Sequence, residues 1–206
     1  MELISVTITD DHAFTRSGLQ HQLVDDGRFR VLGQADNAVQ SLQLARKLSP
    51  QIAVVDYVLP DANGLEILIE LGRWAPACRC VILTGRDDAA IVQPLLDAGA
   101  AGILSKASPP EQICDALCEV ALGETMLDPI FSKAVKTNQT KTPLSPREVE
   151  VLLRIAKGMT NGTIAEDLSL SSKTVESHRG SLMRKLNVSS TATLMVKAAR
   201  VGLIDI

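Results

Sequence analysis

Gln51-Ile52-Ala53-Val54-Val55-Asp56 is the most informative run of the chain. Its centre, Ala53-Val54-Val55, is apolar without alternation, the pattern of a strand covered on both faces in a parallel sheet. The run ends on a carboxylate, and in open α/β sheets ligands lie outside the carboxyl ends of the strands. Tyr57-Val58-Leu59-Pro60-Asp61-Ala62-Asn63-Gly64 follows, turn chemistry that postpones the next helix. Alone, Asp56 reads as readily as a strand-end polar residue or helix cap as it does as a functional carboxylate. What stands at the other strand ends separates these readings.

Upstream, Leu3 to Ile8 reads as a strand ending at Asp10-Asp11, followed by a helical pattern through Phe14, Leu19 and Leu23. Phe29 to Ala35 is a second strand; Val39, Leu42, Leu44, Ala45 and Leu48 then recur at helical spacing up to Ser49-Pro50. Downstream, Leu65 to Leu71 predicts a helix, Cys80 to Thr84 a strand, and Asp88 to Ala98 a helix stopped by Gly99. Pro94 lies inside that pattern. Because proline removes a backbone donor, the helix is expected to start late, near Pro94, or to kink, leaving this face mobile. Ala101 to Leu104 is a short strand before Ser105-Lys106. Ser108 reads as the cap of a helix with Pro109 at its start and Glu111 three residues on, running to about Gly123. This alternation predicts an α/β doubly wound, five-stranded parallel sheet with right-handed crossovers over residues 1–123.

Residues 124–142 lose periodicity, and their polar stretch from Lys133 to Thr142 reads as a linker. Residues 143–206 are helical throughout, a separate all-α domain in which four short helices fit. Ser145-Pro146-Arg147-Glu148 opens the first, with a serine cap, proline at the first position and an acid in the first turn. Charge divides in the same way: residues 1–130 hold 9 Lys/Arg against 18 Asp/Glu, and residues 143–206 hold 9 against 6. An acidic front and a basic back imply different partners. No apolar run approaches the roughly 18 residues of a membrane span. The chain enters its first strand without a basic n-region, so neither signal peptide nor anchor is expected, and the location expected is cytoplasmic. Cys78, Cys80, Cys114 and Cys118 lack the usual zinc spacing and read as buried, reduced thiols.

Successive strand ends thus deliver Asp10, Asp11, Asp56, Thr84 and Lys106 to one edge. Each has an ordinary reading by itself: a cap, a strand end, a solvated lysine. Together, three carboxylates repel one another unless a cation intervenes, and all-oxygen ligands favour Mg²⁺. Asp56 then serves as nucleophile in a phosphoryl transfer, with metal and Lys106 neutralising charge. His12 beside the acids reads as a surface or capping histidine. Trp74 and Tyr57 are too isolated to form a binding cage.

As a set, Asp10-Asp11, Asp56…Pro60…Gly64, Thr84 and Lys106 resemble the receiver domain of two-component response regulators. The resemblance implies a flavodoxin-like strand order, 2-1-3-4-5, and Asp56 as phosphoacceptor. It implies Mg²⁺ held by Asp10, Asp11, Asp56 and the backbone carbonyl of Val58, with Thr84 and Lys106 engaging the phosphoryl group. One departure is plain: Ile103 stands where the family usually carries an aromatic residue that swings with the threonine.

In the basic end, a short helix with Ile164, Ala165 and Leu168 precedes a helix from Ser172 to Leu186, with Ser171 as cap. Val175, Leu182 and Leu186 share one face, and Lys173, Glu176, Ser177, Arg179 and Gly180 the other. This fits a helix-turn-helix, or else a four-helix interaction module with a solvated charged face. Leu-Ser-Pro-Arg-Glu at 144–148, Asn161…Ile164-Ala165, Lys173-Thr174-Val175-Glu176…His178-Arg179 and Lys185-Leu186 resemble the LuxR-type helix-turn-helix domain. The pairing is similar to the NarL/FixJ type of regulator. By analogy Glu176, Ser177 and Gly180 face bases, while Lys173, Thr174, His178 and Arg179 lie near the backbone of double-stranded DNA. The function implied is a transcription regulator, not an enzyme, phosphorylated at Asp56 by a sensor histidine kinase and dimerising when phosphorylated. Its rivals are a regulator acting by protein contact without phosphate, and a Mg²⁺-dependent phosphohydrolase.

Overall fold

The computed structural model describes residues 2–85, 91–131, 144–201 and 203–204. Most of the expected linker therefore lies outside the described residues. The elements are β1 (Ile4–Thr9), α1 (Ala13–Asp26), β2 (Phe29–Ala35), α2 (Ala38–Leu48), β3 (Ile52–Asp56), α3 (Gly64–Trp74), β4 (Arg79–Thr84), α4 (Val92–Asp97), β5 (Gly102–Ser105), α5 (Pro110–Ala121) and β6 (Met126–Leu127). Then come α6 (Pro146–Ala156), α7 (Asn161–Asp167), α8 (Ser172–Leu186) and α9 (Thr191–Arg200). By spatial clustering the chain divides into two units, Met1–Asp87 with Gly99–Lys133, and Asp88–Ala98 with Ala134–Ile206.

All strand pairs are parallel, in the order β2-β1-β3-β4-β5-β6. The expected order holds, with a sixth strand added at the β5 edge. β6 is only two residues long, but Met126 N donates to Ala101 O at 3.0 Å and Asp128 N to Ile103 O at 2.9 Å. The stretch expected to begin the linker therefore starts as sheet. All five residues of β3 are buried, which is why Ala53-Val54-Val55 carries no polar alternation. On one face, Val6, Ile8, Val54, Val81 and Leu83 pack with Leu19 and Leu23 of α1 and Ile113, Leu117 and Val120 of α5. Each such side chain contributes about 1.5–3 kcal/mol when fully buried.

Three local expectations change. Phe14 is 93% exposed, because the buried stripe of α1 runs through Leu19 and Leu23, one turn apart, and Phe14 is off that stripe. Val39 is likewise exposed, and α2 buries Ala38, Ser41 and Ala45 instead. Ser108 does not cap α5, whose N-cap is Pro109 without a side-chain bond. Its hydroxyl donates instead to the Asp128 carboxylate, a charged and therefore stronger acceptor that β6 brings close. As described, α4 begins at Val92, so Pro94 is its third residue. The first four N–H groups of a helix have no internal partner, so proline is accommodated there without a kink. The start expected from Asp88 falls on residues outside the described set.

In the second unit, Ser145 and Glu148 form a full capping box with Pro146 at the start of α6. Thr160, Ser171 and Ser190 cap α7, α8 and α9 through their hydroxyls. Both α6 and α7 pack on α8, which buries Val175 and Leu182 completely. Between α7 and α8 the chain turns through Ser169 at φ 53°, and Leu170 N donates to Ala165 O at 2.8 Å. This is a helix-turn-helix.

Candidate functional site

At the carboxyl ends of β1, β3 and β5 the sheet register brings three groups together. Lys106 follows β5 and extends its ammonium to Asp10 Oδ2 at 2.6 Å and to Asp56 Oδ2 at 2.7 Å. Asp10 and Asp56 are buried, 3% and 4% exposed. Asp11 is exposed, and its Oδ1 lies 2.6 Å from His12 Nδ1. Ligand atoms of Asp10, Asp11, His12 and Asp56 all lie within 4.8 Å of one another, close enough to hold one metal ion. The oxygen-rich donor set fits a hard divalent cation.

The supports are local. Asp10 Oδ1 accepts from the His12 N–H at 2.8 Å, and Arg16 Nη1 donates to the Asp10 carbonyl at 2.6 Å. Val58 N reaches Asp56 Oδ1 at 3.4 Å, and Val58 bridges to Asn63, closing the turn after β3. Gly64 follows that turn; a Cβ there would sit 3.0 Å from Tyr57 Cα and 3.2 Å from the Asp56 carbonyl oxygen, so any other residue would push α3 and the loop apart by a few tenths of an ångström. Asp61 turns the same loop outward, accepting from Ala38 N and Val39 N at the start of α2. Thr84, 1% exposed, ends β4 one residue beyond Leu83, the register partner of Asp56. Its carbonyl accepts from Lys106 N at 2.8 Å.

Burial pushes the Asp56 carboxyl above its ordinary range; Lys106 opposes the shift and Asp10 adds to it. Burial would also discharge Lys106, but the hydrogen bonds it donates to Asp10 and Asp56 prevail and hold its ammonium firmly protonated. The arrangement is a buried carboxylate poised for a cation and for an electrophile that brings negative charge. Ile103 is fully buried in β5. His12, expected at the surface or as a cap, is 70% exposed in its side chain and occupies the N-cap position of α1 without a side-chain bond, and it also belongs to the acidic cluster. Its adjacency to Asp10-Asp11 was the available signal. All four cysteines are free, with Cys80 and Cys114 buried. Trp74 is half-exposed, with Arg46 stacked over its ring at 4.5 Å.

On α8, Lys173, Glu176, Ser177 and Gly180 are exposed along one face, and Thr174, His178 and Arg179 are half-buried beside them. Two of the basic residues are held within the domain. Arg179 donates to Asn161 Oδ1 and to Thr191 Oγ1, both at 2.8 Å, joining the starts of α7 and α9. Lys185 donates to Glu148 Oε2 at 2.8 Å, and Ser181 donates to Glu148 Oε1 at 2.6 Å. Sequence reading missed Glu148 in this role, since its partners lie 33 and 37 residues away.

Residues 6–118 match the model of the response regulator receiver domain, and residues 142–198 that of the luxR family of bacterial regulatory proteins. Response regulator GacA of Pseudomonas aeruginosa is 32% identical over 211 residues, covering 98% of this chain and 99% of that protein. RcsB of Salmonella enterica serovar Typhimurium, solved on promoter DNA with the phosphomimetic BeF3-, is 25% identical with a TM-score of 0.70, covering 96% of this chain and 99% of that one. A structure of two RcsB dimers bound to two parallel DNAs is 26% identical with a TM-score of 0.66, covering 96% of this chain and 98% of that one.

Proposed function

We propose, from the premise that this chain belongs to the response regulators that join a receiver to a LuxR-type DNA-binding domain, that Asp56 is its phosphoacceptor and Mg²⁺ its cofactor. The chain is a DNA-binding transcription regulator of the two-component type, a signalling protein and not an enzyme. The observation that carries the reading is the pair of contacts from Lys106 to two buried carboxylates at the ends of β1 and β3.

In this reading Asp10, Asp11, Asp56 and the Val58 carbonyl would hold Mg²⁺, which would supply positive charge beside the incoming phosphoryl group. Burial keeps the Asp56 carboxyl prone to protonation, so binding of a cation also favours its ionised, nucleophilic form. A sensor histidine kinase supplies the phosphoryl group; the carboxylate oxygen of Asp56 attacks phosphorus, the phosphohistidine bond breaks, and an acyl phosphate remains. Lys106 and Thr84 then turn to the new anion. Residues 1–123 act as receiver, 124–142 as linker and 143–206 as output domain, in the cytoplasm. As in the structure of RcsB dimers bound to DNA, the active species is a dimer on double-stranded DNA. Its contact is α9, and Glu176, Ser177 and Gly180 of α8 face bases with Lys173, Thr174, His178 and Arg179 near the phosphates. Intact-mass spectrometry after incubation with acetyl phosphate and Mg²⁺ tests the assignment. One phosphoryl group on the wild type and none on Asp56→Asn is expected; equal labelling of both contradicts it.

A further inference from the structure

Asp128 is a buried carboxylate that the acidic pocket does not include. It stands at the end of β6, where the chain leaves the sheet. Its Oδ2 accepts from Ser105 N at 3.3 Å and from the hydroxyl of Ser108. Those two residues bracket Lys106 on either side. Its Oδ1 accepts from Ile130 N at 3.1 Å, and its carbonyl from Phe131 N at 2.9 Å, fixing the turn with which the receiver's described residues end. Phe131 is 1% exposed, so that turn is anchored in the core. One carboxylate therefore grips both the loop that carries Lys106 and the root of the segment leading to the second domain. Charge-assisted bonds of this kind are about twice as strong as neutral ones.

Ile103 gives this link its significance. An aliphatic side chain, fully buried, offers no aromatic ring to swing outward, yet its carbonyl is tied to Asp128 N at 2.9 Å. A shift of Lys106 from Asp10 toward a phosphoryl group on Asp56 pulls on the short loop that carries it. That loop cannot move without moving Asp128 or breaking a bond to it. We propose that Asp128 is a positioning residue for Lys106, and that through the same carboxylate it passes the state of the Asp56 pocket to the chain leaving the receiver. The inference rests on the phosphoacceptor reading of Asp56 and goes beyond it.

The test uses the full chain as wild type, Asp128→Ser, Ser108→Ala and the double variant. Serine at 128 can still cap the turn at Ile130 but is too short to hold Ser105 and Ser108 as well. Labelling by acetyl phosphate with Mg²⁺ is followed by intact mass. Affinity is measured with and without beryllofluoride on duplex DNA recovered by the beryllofluoride-treated wild type from a random pool. Asp128→Ser is expected to label about fivefold more slowly, the factor of one ordinary hydrogen bond, and to lose most of the beryllofluoride-induced gain in affinity. Ser108→Ala should shift both readouts in the same direction and decides the matter where Asp128→Ser does not fold. The double variant should be no slower than Asp128→Ser, because Ser108 acts through Asp128. A lowered melting temperature with wild-type labelling and an undiminished gain makes Asp128 a structural residue alone and overturns the proposal. A wild type that takes no label at all overturns the reading of Asp56 first, and the proposal with it.

Discussion

Lys185 donates from Nζ to Glu148 Oε2 at 2.8 Å, joining the last turn of α8 to the first turn of α6. The most basic-looking helix of the chain thus uses one of its cations to hold the domain together. Lys173, at the other end of α8, is exposed. The two lysines should behave oppositely. Lys185→Ala leaves Glu148 buried without its counter-charge and should destabilise the chain by about 2 kcal/mol, below the value for a fully buried pair because Lys185 is partly exposed. It should leave the salt dependence of DNA binding unchanged. Lys173→Ala should leave stability alone and reduce the slope of log affinity against log salt by about 1. Denaturant unfolding and a salt titration of binding separate the two.

Glu148 also sets a pH response. Burial would raise its pKa, but hydrogen bonds from Lys185, Ser181 and the Ser145 N–H outweigh that and hold it down to about 2. A carboxyl depressed in the folded state contributes stability above its ordinary pKa of 4.5 and loses it as pH falls toward about 2. Denaturation midpoints should therefore fall through this window in the wild type. In Glu148→Gln the fall should be shallower, and the stability at neutral pH lower.

Arg179 spans Asn161 and Thr191 with two nitrogens of one planar group. Lysine keeps the charge but cannot make that bridge. Arg179→Lys should lower stability by about 1–2 kcal/mol through two lost hydrogen bonds. It should also weaken DNA binding, because the starts of α7 and α9 lose their common tie to α8. If instead Arg179→Lys melts as the wild type does, the bridge contributes nothing to the fold.

Asp10, Asp56 and Lys106 were legible in the sequence because each ends or follows a strand that its apolar run identifies, and a parallel sheet gathers its carboxyl ends by construction. The caps Ser145 and Ser171 of the helical domain were legible for a similar reason: each acts on a donor within three residues. What stayed hidden is what depends on distant partners or on too few residues. Two residues of β6 carry no period. Ser108 looked like a cap because its rival acceptor, Asp128, lies 20 residues on. Phe14 looked like core because hydrophobic type was read without its angle to Leu19 and Leu23. Arg179 and Lys185 sit in a segment that resembles a DNA-reading helix, and nothing local shows that Asn161, Thr191 and Glu148 hold them.

Under the proposed function, a change at Asp56 is felt by the helix-turn-helix. The most direct test is DNA affinity and oligomeric state of the full chain with and without beryllofluoride and Mg²⁺, beside Asp56→Asn. The wild type should dimerise and bind DNA more tightly on addition, while Asp56→Asn should respond in neither. A wild type whose affinity and mass stay unchanged would contradict it.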